Sequence, residues 1–150
     1  MNNDPTSQSC DVLILGGGMS GLALACEIAN LNTRNPEKVK SALVIEPRTV
    51  YQQDKTWCFW QTANGFFDAA ITHKWHRWQV SVKGLTYTSE YASTPYVRVD
   101  SGVYYKLAQE HLAQSDDIDL LLGTTARTLQ VNGSEVVVAC DDFCVTSEYV

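Results

Sequence analysis

Residues 11–25 read DVLILGGGMSGLALA. Asp11 to Leu15 is a short apolar run ending at glycine, which suits a buried parallel strand. Gly16, Gly17 and Gly18 form a turn. Met19 to Leu31 places Leu22, Ala25, Cys26 and Ala29 on one face at helical spacing. Residues 30–40 (NLNTRNPEKVK) are polar and contain proline, so they read as a surface connection. Residues 41–46 (SALVIE) are a second buried strand, stopped by Pro47.

The run Gly16 to Gly21 fits G-x-G-x-x-G, a weak signal alone but a strong one between an apolar strand and an amphipathic helix. Gly16 allows the tight turn, Gly18 lets the backbone approach a pyrophosphate, and Gly21 lets helix and strand pack closely. Met19 and Ser20 open the helix, whose N-terminus offers amide groups and a positive dipole end to phosphate. Glu46 ends the second strand, where a carboxylate can accept both ribose hydroxyls. The interval to it is longer than the usual ~20 residues, and the polar 30–40 loop absorbs the excess. Arg48 follows closely and stands either at the adenine side of the cofactor or on the surface. The pattern predicts a Rossmann-like βαβ unit that holds the ADP part of a dinucleotide.

The rest of the chain bears on which dinucleotide. A plain NAD domain continues with alternating helices and parallel strands. Here residues 48–68 are aromatic and irregular, with Tyr51, Trp57, Phe59, Trp60, Phe66 and Phe67. Residues 75–99 read as antiparallel strands, one with Trp75, Trp78, Val80 and Val82, one at 86–91 and one at 96–99, punctuated by Gly84 and Pro95. Asp100 or Ser101 caps a helix of about 14 residues with Tyr104, Leu107, Ala108, His111 and Leu112 on one face. A short strand at 118–122 precedes a β-meander, whose Asn132-Gly133 pair signals a type I′ hairpin. An α/β fold with a Rossmann-like unit, inserted antiparallel strands and a meander favours FAD. The organisation expected is a disordered lead-in at 1–10 and the N-terminal part of an FAD-binding domain at 11–150. Residues 68–99 form a substrate-side insertion, and the C-terminal remainder lies beyond Val150.

Composition narrows the partners. The chain has 150 residues, 45% hydrophobic and 19% charged, the size and balance of one globular domain. A net charge of −6 argues against nucleic acid as a partner, since phosphate neutralisation needs a basic face. No stretch has the ~18 apolar residues of a membrane span, and the N-terminus carries no signal-peptide pattern. The five cysteines include no CxxC pair, so they read as small buried side chains in a reducing cytoplasm rather than as disulfides or zinc ligands. His73 and His76, interleaved with Trp75 and Trp78, read as part of a strand and not a metal site. Asp116-Asp117 reads as a solvated turn.

Taken together, DVLILGGGMSGLALA, LVIEPR (43–48), DKTWCFW (54–60) and YVRVDSGVYYKLAQEHL (96–112) resemble the flavin-dependent lycopene cyclases. The first two segments are shared across flavin monooxygenase-like proteins. DKTWCFW is the specific one, similar to a "TW-x-F-aromatic" signature after the ribose-binding acid. Flavin hydroxylases of the superfamily carry an arginine where this chain has Ser101.

The resemblance implies a non-redox reaction on lycopene or a related carotenoid. FAD is reduced by NADPH, a terminal double bond is protonated, the cation closes to a six-membered ring, and proton loss leaves a β- or ε-ionone end. Such a site must supply an acid, exclude water and place negative charge near the cation. It implies that Trp57, Phe59 and Trp60 lie near the flavin or the polyene end; read from the residues alone they serve equally well as core. The family's acidic motif falls beyond Val150, so no catalytic acid is assigned, and the isolated chain is expected to be inactive. The expected setting is cytoplasmic, with peripheral membrane contact for substrate access. The alternatives are a flavin monooxygenase or prenyl reductase of the same superfamily, and a non-catalytic nucleotide-binding fragment.

Overall fold

The computed structural model describes residues 6–90 and 93–150. The chain divides into two compact units, one formed by the chain up to Tyr51 and from Ala108 onward, the other by Gln52–Leu107. The fold is mixed α/β, with a parallel sheet, inserted antiparallel strands and a meander, in the class the sequence predicts.

The first unit holds β1 (Thr6–Leu15), α1 (Met19–Arg34) and β2 (Ala42–Glu46). β2 is buried along its whole length, as a strand covered on both faces must be. It pairs in parallel with β1 on one side, and on the other with the strand Ile118–Leu122. Leu22, Ala25, Cys26 and Ala29 on α1 are buried, as their spacing demands. Burial pushes the Cys26 thiol up to about 12, and all five cysteines are free thiols.

The boundaries of β1 and α1 differ from expectation. β1 starts at Thr6, so residues 6–10 of the expected lead-in are strand, while residues 1–5 lie outside the described set. The polar TSQSC segment shows no apolar alternation. It is held by its backbone, paired in parallel with Phe143–Ser147. The helix α1 runs on to Arg34, into the expected connection, because Asn32 is buried and clamps Lys40. The Asn32 amide donates to the Lys40 carbonyl at 2.8 Å and its oxygen accepts the Lys40 amide at 2.9 Å.

The second unit holds β3 (Thr56–Trp60), a 3-10 turn (Phe66–Ala70), β4 (Ile71–Trp75), β5 (Arg77–Val82), β6 (Leu85–Glu90) and β7 (Tyr96–Asp100). β3, β7 and β4 form an antiparallel sheet in that order, and β5 and β6 form a hairpin. The insertion expected over 68–99 thus starts earlier, because β3 pairs along its length with β7. Tyr91, within the expected second strand, lies outside the described residues. The hairpin turns on Lys83 and Gly84, both left-handed at φ 49° and 81°, the type I′ pattern.

The helix α2 (Ser101–Leu112) begins in this unit, with its Val103 amide capped by Asp100 at 3.0 Å. It is two residues shorter than the ~14 expected from its apolar face. Its Tyr104 and Tyr105 are both buried.

Back in the first unit come β8 (Ile118–Leu122), β9 (Ala126–Asn132), β10 (Glu135–Cys140) and β11 (Phe143–Tyr149). The six-stranded sheet runs β8-β2-β1-β11-β10-β9. The meander is therefore no separate layer: β11 lies parallel beside β1 and carries β10 and β9 antiparallel outward. Its hairpin turn sits one residue later than expected. Asn132 pairs with Glu135, leaving Gly133 and Ser134 in the loop, and only Gly133 (φ 65°) is left-handed. That is the glycine-first pattern of type II′, not type I′.

Candidate functional site

The turn between β1 and α1 is built as the glycine spacing requires. Gly16 has φ 106°, a left-handed conformation that side chains rarely tolerate, and its amide bonds the Ile45 carbonyl at 2.8 Å. A Cβ on Gly21 would stand 2.0 Å from the Gly16 carbonyl oxygen and 3.1 Å from Ile14 Cγ2. Helix and strand therefore meet there backbone to backbone. Gly18 is the opposite case: a Cβ on it would meet nothing within 4 Å. Gly18 is also the N-cap of α1, contributes no side-chain cap, and no acidic residue stands in the first turn. Met19 is half-buried and Ser20 exposed at this end. An open helix N-terminus over a glycine turn is a site for phosphate.

Glu46 is the acid of the pattern, at the end of β2 and only 5% exposed. Its Oε2 accepts the Gly17 amide at 2.7 Å and Arg48 Nη2 at 3.1 Å. Its Oε1 accepts the Arg48 backbone amide at 2.9 Å and Arg48 Nε at 2.8 Å. The Arg48 hydrogen bonds hold the carboxyl below its usual range, against burial, which pushes it up. Arg48 is thus neither a plain surface residue nor simply aimed outward; Nη2 also reaches the Gly17 carbonyl at 3.2 Å.

Two members of the cluster carried no signal in the motif. Gly17 occupies a variable position, yet a Cβ there would fall 2.1 Å from the Tyr51 hydroxyl and 3.2 Å from Glu46 Cβ. Tyr51 donates its hydroxyl to the Gly17 carbonyl at 2.8 Å, and the Arg48 guanidinium lies 4.9 Å from its ring centroid. The loop after β8 closes the same edge, with the Gly123 amide on the Arg48 carbonyl at 2.9 Å and the Thr124 amide on the Glu46 carbonyl at 3.1 Å. Gly16, Gly18, Met19, Ser20, Gly21, Glu46 and Arg48 all belong to this one end of the sheet.

The aromatic candidates lie in the second unit, on β3. Trp57 and Phe59 pair with Val99 and Val97, which are buried, so these four share a face. Trp57 packs edge-on against Tyr104 and Tyr105, at 5.2 and 5.4 Å. Trp60 points to the other face, 4.9 Å from Tyr96, and is 55% exposed. The three rings therefore do not converge. Ser101 is buried and its hydroxyl oxygen accepts the Lys55 amide at 3.1 Å. His73 and His76 are exposed, His73 on β4 beside Trp75. Among the described residues no group of His, Cys, Asp and Glu could hold a metal ion.

A glycine-turned βαβ unit with an acid at the second strand's end defines a dinucleotide-binding α/β protein. The fold is shared with larger enzymes. A p-nitrophenol 4-monooxygenase from Pseudomonas putida superimposes with TM-score 0.70 at 10% identity, over 95% of this chain and 40% of that one. A flavin-dependent monooxygenase solved with FAD and substrate gives 0.66 at 14%, over 94% and 29%. A geranylgeranyl bacteriochlorophyll reductase-like protein from Thermoplasma acidophilum gives 0.60 at 17%, over 95% and 38%. The chain thus spans less than half the length of each. The comparison with curated proteins gives no match. The lycopene cyclase protein family matches residues 11–146, and the chain belongs to that family.

Proposed function

We propose that this chain is the FAD-binding portion of an enzyme that forms ionone rings on carotenoid ends by protonation and cyclisation. The observation that carries the reading is the family match over 11–146, which includes DKTWCFW as well as the shared glycine turn. The geometry fits the cofactor: open space at Gly18 for the pyrophosphate and a carboxylate at Glu46 for the ribose. Bound flavin, reduced by NADPH, would supply negative charge near the developing cation. This chain's share is to bind and orient. Gly16 and Gly21 shape the turn, Gly18 and the start of α1 receive phosphate, and Glu46 takes the ribose hydroxyls. Trp60 and Phe59, exposed on β3, are aromatics that can face a ligand, while Trp57 is committed to Tyr104 and Tyr105. No residue here is assigned as the catalytic acid.

Among the described residues no helix is long and apolar enough to cross a membrane. In this reading a polyene substrate is reached by peripheral contact with lipid. The test is pigment analysis of a lycopene-accumulating host expressing the full-length protein. A cyclised carotenoid is expected, with no stoichiometric consumption of NADPH. The fold likeness to monooxygenases and a reductase favours a second reading, a redox enzyme on a related apolar substrate. A hydroxylated or saturated product with stoichiometric NADPH consumption would establish that reading instead.

A further inference from the structure

The donors around Glu46 leave it no capacity. A carboxylate offers about four lone-pair positions. Four protein donors fill them here: the Gly17 amide, the Arg48 amide, and Nε and Nη2 of Arg48. The two amides are fixed by the turn and the strand end. The other two donors sit on one side chain that is 30% exposed. A ribose presents two hydroxyl donors from adjacent carbons, the same number that the guanidinium contributes.

We propose that the Arg48 guanidinium stands in for a ribose diol, filling the two acceptor positions on Glu46 that an adenosine nucleotide needs, and must leave Glu46 for the nucleotide to bind. This rests on the reading of Glu46 as the ribose acceptor and adds a gate to it. The stand-in has a structural use. Without it, a carboxylate only 5% exposed would keep two donors of four, and buried charge lacking its donors is costly. Arg48 also has somewhere to go. Nη2 already reaches the Gly17 carbonyl, and the Tyr51 ring lies beneath the guanidinium. The Tyr51 hydroxyl is itself tied to Gly17. A turn of the guanidinium that keeps its contact with that ring releases Glu46 and leaves the positive charge flanking the nucleotide. Nucleotide affinity is then net of breaking a bidentate ion pair, so Arg48 is a positioning residue that opposes binding of the diol.

The experiment is titration calorimetry on the full-length apoprotein with ADP and with 2′,3′-dideoxy-ADP. Arg48→Met removes the guanidinium and keeps the apolar stem. It is expected to bind ADP on the order of tenfold more tightly than the wild type, the gain expected from freeing a partly exposed ion pair and two acceptor positions. Dideoxy-ADP affinity is expected to stay unchanged, since that ligand never competes for Glu46. Arg48→Lys keeps the charge but lacks the fork, and is expected to show a smaller gain confined to ADP. It carries the test if the methionine variant does not fold. Equal or weaker ADP binding by both variants, or an equal gain for both nucleotides, would overturn the gate. The two readings separate cleanly. If no protein prefers ADP over dideoxy-ADP, Glu46 is not the ribose acceptor; if the preference exists but does not grow when Arg48 is replaced, the gate alone is wrong.

Discussion

Glu46 Oε2 accepts the amide of Gly17 at 2.7 Å, joining the end of the second strand to the glycine turn across 29 positions of sequence. The bond fixes the acid beside the glycine turn. It makes Glu46 a residue of the fold in addition to the role proposed for it toward the ribose.

Replacing Glu46 with Gln should therefore act on both levels. A hydrogen bond to a charged acceptor contributes roughly 1.5–3 kcal/mol. FAD binding by the full-length protein should weaken by about ten- to hundredfold, the same energy expressed as affinity. Fluorescence titration reads it, and an unchanged dissociation constant would remove Glu46 from the site.

The glycines should separate by what their Cβ atoms meet. At Gly21 the obstacle is the Gly16 carbonyl, backbone that cannot move without opening the turn. At Gly17 the closest obstacle is the Tyr51 hydroxyl, the far end of a side chain. Overpacking costs about 1–3 kcal/mol, and Gly21→Ala should lie at or above the top of that range with Gly17→Ala below it. Tyr51→Phe removes the obstructing oxygen and should recover part of the Gly17→Ala loss in a double-mutant cycle on denaturant midpoints. Strict additivity would show that the two residues do not touch.

Acid should loosen both ends of β2. Arg48 lowers the Glu46 carboxyl from its ordinary 4.5, and at the other end the Ser41 amide, then Lys40, lowers Asp11 from 3.8. Both groups have folded values below their unfolded ones. Their stabilisation is present above the ordinary carboxylate range and is lost as pH falls through it toward the folded values. Melting temperature should hold from neutral pH down to about 5 and then drop. Asp11→Asn should lower it more at pH 7 than at pH 3.5; an equal loss at both would mean that the Asp11 charge contributes nothing.

What was legible in the sequence was local. The strand, glycine turn, helix and terminal acid are encoded within a short stretch by apolar spacing and by the conformations only glycine allows. Arg48 and Tyr51 escaped a firm assignment because their partner Gly17 is 31 and 34 positions away and is a variable residue of the motif. The strand at 6–10 escaped because a segment held by backbone pairing needs no apolar pattern, and its partner, 143–147, comes from the far end of the sequence. The Asn132-Gly133 turn shifted by one because register is set by pairing along the whole hairpin and not by the turn dipeptide alone.

The two tryptophans of β3 make the last prediction. They are three positions apart, so a strand sends them to opposite faces. Trp57 shares a face with the buried Val97 and Val99 and makes edge-to-face contacts with Tyr104 and Tyr105. Such ring pairs contribute ~0.5–1.5 kcal/mol each beyond area burial, and truncating a packed tryptophan costs ~3–5 kcal/mol. Trp60 is 55% exposed, with Tyr96 and Trp78 as ring neighbours at 4.9 and 6.4 Å. Trp57→Ala should therefore lower the thermal midpoint strongly, whereas Trp60→Ala should leave it within a degree or two, since exposed substitutions stay within about 0.5 kcal/mol. Product formation by the full-length enzyme should sort the other way: Trp60→Ala should lose activity while still folded. Trp57→Phe, which keeps a ring against the two tyrosines, should keep it. If Trp60→Ala is both stable and fully active, the exposed ring has no part in handling the substrate.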